Sequence, residues 1–315
     1  MKNYLKISDI PDFYAAVREA VELKNNQNPV PIGKGKTLGM LFFNPSLRTR
    51  ISTEKAAKLL GMDVIVLNAD KDGWALEFED GVIMNSGKAE HIKEAAGVLS
   101  QYCDIIAVRA FPQLSDREKD EEETILAGFE KYACVPIVNL ESATGHPLQA
   151  LTDAMTIAEL KKVNRPKVVL SWAPHPKPLP QSVPNSFVEA MKRSDVDLVI
   201  TNPEGYDLRR ELVAGIPVLH DQDEALRDAD FVYVKNWSSY DSYGKVLSQD
   251  SSWTFSKEKL ALTNDANIMH CLPVRRNVVI DDDVLDSKNS IVIRQAGNRT
   301  YAAMAVLKNL LESRL

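Results

Sequence analysis

The feature that most constrains this fold is an alternation of short apolar runs with helical patterns along the whole chain. The runs are rich in Val and Ile and lack strict polar alternation, which is typical of strands covered on both faces. The predicted strands are 37–43, 63–67, 104–109, 135–139, 167–172, 197–201, 230–234, 267–270 and 290–294. The predicted helices between and after them include 51–60, 89–102, 121–132, 146–162 and 298–313. This order predicts an α/β protein with parallel sheets.

The length of 315 residues favours two domains. A boundary is expected near the helical segment 146–162, after which a second series of strands begins. We therefore predict two doubly wound parallel-sheet domains joined by two interdomain helices. The first covers 1–145, the second covers 146–297, and the segment 298–315 packs back on the first. Such sheets bind ligands at the carboxyl ends of their strands, so we expect a common cleft.

Composition excludes several classes of protein. The net charge is −6, from 38 basic and 44 acidic side chains, which argues against a nucleic-acid-binding protein. The three cysteines, Cys103, Cys134 and Cys271, lie far apart and form no CxxC pair, so neither a disulfide framework nor a zinc site is expected. No secretory leader and no apolar run of about 18 residues is found, so we predict a cytoplasmic protein without a membrane span.

The strongest local signal is FFNPSLRTRIS at 42–52. A buried strand ends there, a turn with a proline follows, and a helix is expected to begin near Ser46. Helix N–H groups, the hydroxyls of Ser46 and Thr49, and the guanidinium of Arg48 would together form a cradle for phosphate. The same residues are compatible with a serine that caps the helix beside solvated arginines. Four anion-binding elements at one strand-to-helix junction favour phosphate.

Two further motifs follow predicted strands. In ESATGHPLQALTD, at 141–153, His146 stands at a helix start, where an uncharged imidazole is favoured over a cation. In HCLPVRRN, at 270–277, Cys271 is interpreted as a small wall residue rather than a reactive thiol. Arg275 and Arg276 could hold a carboxylate or be solvated.

In order and spacing, three of these motifs resemble the transcarbamylases. Their S-x-R-T-R signature is matched by SLRTR at 46–50, their H-P-x-Q by HPLQ at 146–149, and their H-C-L-P by HCLP at 270–273. The resemblance covers nearly the whole chain. It implies a carbamoyl-phosphate domain followed by an amino-acid domain, and a reaction that needs no metal and no organic cofactor.

The resemblance also implies roles for single residues. The residues it assigns to carbamoyl phosphate are Ser46, Leu47, Arg48, Thr49, Trp74, Arg109, His146, Gln149, Cys271, Leu272 and Arg299. Those expected to be catalytic are Arg48, Thr49, Arg109 and His146. Thr49, Arg109 and His146 would polarise the carbamoyl oxygen. Gln149 and the backbone carbonyl of Leu272 would accept hydrogen bonds from the carbamoyl amide.

The second domain departs from the ornithine enzymes of this family. They carry an Asp and an S-M-G stretch that receive the α-ammonium of ornithine, whereas this chain has DADFVYVKNWSS at 228–239, with Lys235. A cation there would repel an ammonium group. The pattern is similar to the acylornithine transcarbamylases, in which an acyl group masks the α-amine. The implied acylornithine-binding residues are Glu141, His175, Lys235, Arg275 and Ala89.

The resemblance leaves acetylornithine and succinylornithine as alternatives. The residue matching Ala89 is acidic in the acetyl-specific enzymes and Pro in the succinyl-specific ones, and an acidic side chain would repel the distal carboxylate of succinate. Acetyl-type enzymes also carry a Lys where this chain has Val279. We therefore favour N-succinyl-L-ornithine, although Glu90, next to Ala89, keeps the acetyl alternative open.

The implied function is an N-acyl-L-ornithine carbamoyltransferase of arginine biosynthesis. A catalytically silent subunit that only binds anions is the alternative from another class. The resemblance further implies a homotrimer in which the exposed Trp74, in DGWALEFED, contributes to a neighbouring subunit's site. The group that deprotonates the δ-ammonium is left open, with bulk solvent and a side chain equally consistent.

Overall fold

The computed structural model describes residues 1–26 and 29–313, and of Asp70 only the backbone. The chain divides into two compact units. The first comprises the described residues of Met1–Gln113, Glu118–Leu148 and Arg299–Leu315, and the second comprises Leu114–Arg117 and Gln149–Asn298. Arg314 and Leu315, at the end of the predicted final segment, lie outside the described residues.

The first unit contains a parallel four-stranded sheet and a short parallel pair. Its strands are β1 (Thr37–Phe42), β2 (Asp63–Asn68), β3 (Leu76–Glu77), β4 (Glu90–His91), β5 (Ile105–Arg109) and β6 (Ile137–Glu141). The order in the large sheet is β2-β1-β5-β6, and β3 pairs with β4. Every residue of β5 and β6 is buried, which fits their mostly apolar composition; the buried polar exceptions are Arg109, Asn139 and Glu141.

The second unit contains a parallel five-stranded sheet. Its strands are β7 (Lys167–Trp172), β8 (Asp197–Thr201), β9 (Val218–Leu219), β10 (Phe231–Lys235) and β11 (Asn267–Met269). The order is β11-β10-β7-β8-β9. Its core is built around Val169, Val232, Phe255 and Ile268, which are fully buried. Each such side chain contributes about 1.5–3 kcal/mol through burial of apolar surface.

Helices connect the strands and cover the sheets. They are α1 (Phe13–Asn25), α2 (Arg48–Leu59), α3 (Ala69–Asp72), α4 (Ile92–Tyr102), α5 (Arg117–Glu121), α6 (Thr124–Tyr132), α7 (Pro147–Leu160), α8 (Ser182–Lys192), α9 (Arg210–Val213), α10 (Gln222–Leu226), α11 (Lys257–Leu260), α12 (Asp282–Leu285) and α13 (Val292–Glu312). Two 3₁₀ turns lie at Ile7–Asp9 and Ser251–Trp253. Along the chain, α7 passes from the first unit into the second and α13 returns from the second to the first. The predicted fold class of two doubly wound parallel-sheet domains is confirmed.

One predicted strand is wrong. The segment 290–294 forms only an isolated bridge, between Ile268 and Ser290, and α13 begins at Val292. Its β-branched composition suggested a strand, but Ile291, Val292 and Gln295 are buried whereas Ile293 and Arg294 are exposed, so burial repeats with the period of a helix. The final helix therefore begins six residues before the predicted Asn298 (298 − 292 = 6).

The helix α2 begins at Arg48, two residues after Ser46 and three before the predicted segment 51–60. Its N-cap is Leu47, in a right-handed helical conformation, and no side chain caps the helix. Ser46 therefore precedes the cap, and Arg48 and Thr49 open the first turn. The predicted helix 121–132 begins only at Thr124 as α6, because Glu123 adopts a left-handed conformation with a φ of 47° and separates it from the shorter α5.

Candidate active site

In the first unit, the strand order reverses between β1 and β5. Doubly wound sheets bind ligands at the carboxyl ends of strands at such a point. The turn before α2 follows β1, and β5 ends at Arg109. The backbone N–H of Phe43 donates to the carbonyl of Arg109 over 3.0 Å, so the turn and Arg109 lie side by side.

The hydroxyl of Thr49 joins two guanidinium groups at this point. Thr49 is buried in the first turn of α2, and its Oγ1 accepts from Nη1 of Arg109 at 3.3 Å and from Nη2 of Arg299 at 2.7 Å. Both arginines are themselves buried. Two buried cations that share one neutral acceptor favour a negatively charged ligand beside them.

Glu141, at the end of β6, balances part of this charge. Its Oε2 accepts from Nη1 of Arg109 at 2.6 Å, and both side chains are buried. The Arg109 guanidinium also lies 4.3 Å from the centre of the Phe111 ring. Within residues 1–26 and 29–313, no group accepts a hydrogen bond from the buried Nε of Arg109. A buried donor of this kind is suited to a ligand that supplies an acceptor.

His146 lies beside the same carboxylate. It is buried directly before α7, and its Nε2 is 3.6 Å from Oε2 of Glu141. Burial, followed by the charges of Arg299 and Arg109, lowers its pKa well below 6.5. The imidazole is therefore neutral at pH 7 and can donate a hydrogen bond from one nitrogen without carrying charge.

The remaining cradle residues precede or open α2. Ser46 and Arg48 are half-buried, and Leu47 is 66% exposed. The first backbone N–H groups of α2 have no partner within the helix itself, so they are available to an anion at this end. The main chain of this turn, rather than the Leu47 side chain, is the part that a phosphate could use.

In the second unit, the strand order reverses between β10 and β7. Lys235 ends β10, is buried, and donates to the carbonyl of Asn236 at 2.8 Å. His175 follows β7, and its Nε2 accepts from Nε of Arg275 at 3.0 Å. Burial lowers the pKa of His175, the Lys177 carbonyl opposes this, and Arg275 and Lys235 lower it further. An uncharged imidazole with two nearby cations suits a carboxylate ligand.

The second unit also contains a buried hydrogen-bond network. Oδ1 of Asp153 accepts from Nε2 of Gln149 and from Nε2 of Gln295, each at 2.7 Å. Oε1 of Gln295 accepts from the His270 N–H at 2.9 Å, and Nδ1 of His270 accepts from the Leu272 N–H at 2.8 Å. The network therefore connects two of the predicted site residues, Gln149 and Leu272.

Cys271 is half-buried in the same turn. The fully buried Tyr233 has its pKa raised well above 10, first by burial and then by Asp153 and Cys271. The Tyr233 hydroxyl therefore stays protonated at neutral pH. Leu272 has a φ of 58°, and the peptide bond before Pro273 is cis.

Trp74 lies on a separate loop of the first unit. Its side chain is 60% exposed, as the sequence predicts for a loop tryptophan, and its Nε1 donates to Oε2 of Glu90 at 2.7 Å. The N–H of the exposed Ala89 donates to the Ala75 carbonyl at 3.0 Å, and the β3–β4 pair closes the loop. Glu90 therefore has a fixed hydrogen-bond donor.

The structure brings the predicted residues together in two groups. In the first unit Arg109 and His146 lie against Glu141, a residue that the resemblance assigned to the amino-acid pocket, and Thr49 connects Arg109 to Arg299. The second unit groups the predicted residues His175, Lys235 and Arg275, and its buried network holds Gln149 and Leu272. Asp153 and Gln295 were not predicted. The spacing of four between Gln149 and Asp153 in a predicted helix was the available signal, whereas nothing local indicated Gln295.

Two kinds of feature are absent from the described chain. Within residues 1–26 and 29–313, no helix combines the length and apolarity needed to cross a membrane. Over the same residues, no group of three or more His, Cys, Asp or Glu side chains is arranged to hold a metal ion.

Each of the two α/β units carries charged side chains where its strand order reverses. Comparison with known protein families identifies the class of enzyme to which such a chain belongs. Residues 2–159 match the carbamoyl-phosphate-binding domain of aspartate/ornithine carbamoyltransferase, and residues 180–310 match its Asp/Orn-binding domain. The chain belongs to the aspartate/ornithine carbamoyltransferase family, and it is a carbamoyltransferase.

Relatives within this family are similar over their full length. The chain is 51% identical to the N-succinylornithine carbamoyltransferase of Bacteroides thetaiotaomicron, with 99% of each chain covered. It is 37% identical to the N-acetylornithine carbamoyltransferase of Xylella fastidiosa, with 98% of each covered. A crystal structure of acetylornithine transcarbamylase complexed with acetylcitrulline has a TM-score of 0.92 at 36% identity, covering 98% of this chain and 99% of that one.

Proposed function

We propose that this protein is an N-acyl-L-ornithine carbamoyltransferase of arginine biosynthesis. It transfers the carbamoyl group of carbamoyl phosphate to the δ-amine of the acceptor and forms N-acyl-L-citrulline and phosphate. The observation that carries the proposal is the buried pair of guanidinium groups on Thr49, next to the neutral His146. The names of the relatives at 51% and 37% identity support an acylated acceptor.

The chemistry follows from where charge develops. The δ-amine attacks the carbonyl carbon, a proton leaves the nitrogen, and the bond between that carbon and the phosphate oxygen breaks. Negative charge grows first on the carbonyl oxygen and then on the departing phosphate. Arg48, Arg109 and Arg299 stabilise it as cations, and His146 and Thr49 as neutral donors. Because the neutral donors carry no positive charge, they add no electrostatic attraction that would retain the phosphate product.

The second group fits an acceptor whose α-amine is masked. Lys235 and Arg275 are cations beside the imidazole of His175, whose pKa is lowered by burial. They attract the α-carboxylate of an amino acid and repel a free α-ammonium. Acylation removes that ammonium charge, so the acylated substrate keeps the attraction without the repulsion.

We propose N-succinyl-L-ornithine as the preferred acyl form. Ala89 adds no charge, and the carboxylate of its neighbour Glu90 is hydrogen-bonded by Trp74. Val279, at the position where acetyl-type enzymes carry a Lys, is buried in the apolar core of the second unit. The two relatives named N-succinylornithine carbamoyltransferase are 51% and 50% identical, whereas the acetyl-named ones are 36–37% identical.

Steady-state kinetics with three acceptors at saturating carbamoyl phosphate test this proposal. We expect kcat/KM to be highest for N-succinyl-L-ornithine, about 10-fold lower for N-acetyl-L-ornithine and about 10³-fold lower for free ornithine, since an unpaired charge in a polar site is rejected strongly. Equal rates for ornithine and its acylated forms would contradict the acyl specificity. Carbamoyl-phosphate binding without phosphate release with any acceptor would instead support the silent-subunit alternative.

We propose that the protein assembles as a homotrimer in which Trp74 reaches a neighbouring subunit's site. Exposed apolar side chains of the first unit support self-association. Ile65 on β2 and Tyr102 at the end of α4 line an apolar groove, and they are 44% and 66% exposed. Ile83, on the Trp74 loop, is 83% exposed. A groove and a separate apolar loop on one chain suit a head-to-tail contact, which closes into a ring.

A mixing experiment tests whether the site is shared. Trp74→Ala and Arg48→Ala variants are each expected to have little activity. After subunit exchange, some sites combine an intact Trp74 from one subunit with an intact Arg48 from another, and up to about one quarter of wild-type activity should return. A mixture of Trp74→Ala with the Trp74→Ala/Arg48→Ala double variant is the control and should gain nothing. No recovery in trimers that mass spectrometry shows to be mixed would exclude a shared site.

A further inference from the structure

A strained residue of the first unit is hydrogen-bonded to the loop that leads to His146. Glu123, directly before α6, has a φ of 47° and a ψ of 43°, the left-handed conformation that residues other than glycine rarely adopt. Its side chain does not cap α6, although Glu123 occupies the N-cap position. Glu123 therefore has neither a relaxed backbone nor the usual capping hydrogen bond, and such strain persists only where other contacts hold it.

The contacts that hold Glu123 are made with Thr144. Oε1 of Glu123 accepts from the backbone N–H of Thr144 at 2.7 Å and from the Thr144 hydroxyl at 2.8 Å. These bonds connect positions 21 residues apart, and both residues are half-buried. A carboxylate is a stronger acceptor than a neutral oxygen, so this one group fixes the backbone and the side chain of Thr144 together.

Thr144 belongs to a tight turn that leads directly to His146. The Ser142 N–H donates to the Gly145 carbonyl at 2.8 Å and closes the turn. Ser142 directly follows β6, so the sheet holds the start of the turn, and Glu123 holds its middle. His146 is the next residue after Gly145 and is buried. The position of its imidazole therefore depends on a turn that is fixed at two points.

We propose that Glu123 is a positioning residue that aligns the His146 imidazole through Thr144. The inference rests on the proposed function, in which His146 donates to the carbamoyl oxygen in the transition state. A hydrogen bond weakens steeply as its distance and angle depart from the optimum, so a displaced turn lowers the rate more than the affinity for carbamoyl phosphate. An acidic residue that only stabilised the start of α6 would leave catalysis unchanged.

Three variants separate these two roles. Asn tolerates the left-handed conformation and is a good N-cap residue, but it lacks the methylene group with which Glu123 reaches Thr144. For Glu123→Asn we expect kcat to fall about 10-fold, the KM for carbamoyl phosphate to stay within about twofold of wild type, and stability in urea to be kept. Glu123→Gln keeps the oxygen and the length, so kcat should stay within about threefold. Asp228→Asn, at an exposed position with a φ of 57°, is the matched control and should leave kcat unchanged.

A double variant tests whether Glu123 acts through His146. In a His146→Ala background, Glu123→Asn should lower kcat by less than about twofold, because the side chain that Glu123 positions is already gone. NMR of protein labelled at its histidine rings provides a measurement that needs no turnover. The His146 ring signal, identified by its absence in His146→Gln, should shift in Glu123→Asn and stay in place in Glu123→Gln.

The outcomes separate this inference from the proposed function. An unchanged kcat or an unchanged His146 ring signal in Glu123→Asn would overturn the inference, and so would the same loss of kcat with and without His146. Lower stability with full activity would assign Glu123 to capping alone. A wild-type protein that carbamoylates no acceptor, while the ring signal still shifts in Glu123→Asn, would refute the proposed function and leave the alignment of His146 by Glu123 intact.

Discussion

Arg109→Gln is expected to lower kcat/KM for carbamoyl phosphate about 10³-fold. Arg109 is one of the two guanidinium groups on Thr49, and it is the buried partner of Glu141. Its loss removes a cation that stabilises the negative charge developing in the transition state. Steady-state kinetics with the preferred acceptor measure this directly.

The same substitution should destabilise the first unit. Without Arg109, the Glu141 carboxylate loses its 2.6 Å partner while it stays buried, and such a loss costs about 3–5 kcal/mol. The double variant Arg109→Gln/Glu141→Gln removes both charges. It should recover most of the free energy of unfolding in denaturant titrations but none of the activity. Recovery of activity together with stability would mean that Arg109 acts only through the fold.

His146→Ala is expected to lower kcat about 10²-fold to 10³-fold and to change the KM for carbamoyl phosphate much less. A neutral donor to the carbonyl oxygen is worth most when that oxygen carries charge, which happens only in the transition state. His146→Gln keeps a neutral donor near this position and should retain more of the rate than His146→Ala. Equal loss in kcat and in substrate affinity would contradict the role in the transition state.

The acid dependence of protein stability tests separately whether His146 is uncharged in the folded protein. The pKa of folded His146 lies well below 6.5, its ordinary value in the unfolded chain. The unfolded protein therefore binds more protons below pH 6.5, and stability that is present above this pH is lost as the pH falls. Urea titrations should show a shallower acid loss for His146→Gln than for wild type. His220→Gln, which removes an imidazole from a side chain that is 42% exposed, is the matched control for the loss of one histidine.

Much of the first group could be predicted because its residues occur at strand ends within short motifs. SLRTR follows β1 and HP opens α7, so sequence position indicated these two parts of the site, whereas the role of Arg109, which ends β5, came from the resemblance. The contact between Thr49 and Arg299 was different, because it joins residues 250 positions apart. No local pattern specifies such a pair, and only the resemblance assigned Arg299 a role.

The errors have local causes. The segment 290–294 was predicted as a strand because β-branched residues favour strands, yet packing of one face against the core makes it the start of α13. Ser46 was expected near a helix start and lies two residues before α2, with Leu47 at the N-cap position. Helix ends are set by backbone geometry and packing that composition does not contain.

The sequence by itself determined the α/β class, the pairing of motifs with strand ends, and the resemblance to the transcarbamylases. Periodicity, turn residues and motif spacing are local properties, so they can be read along the chain. The tertiary structure alone decided that Glu141 pairs with Arg109 and that Asp153 joins Gln149 to Gln295, and it added burial as the main reason why His146, already expected to be uncharged, stays so. These properties depend on burial and on contacts between distant residues, which exist only when the chain is folded.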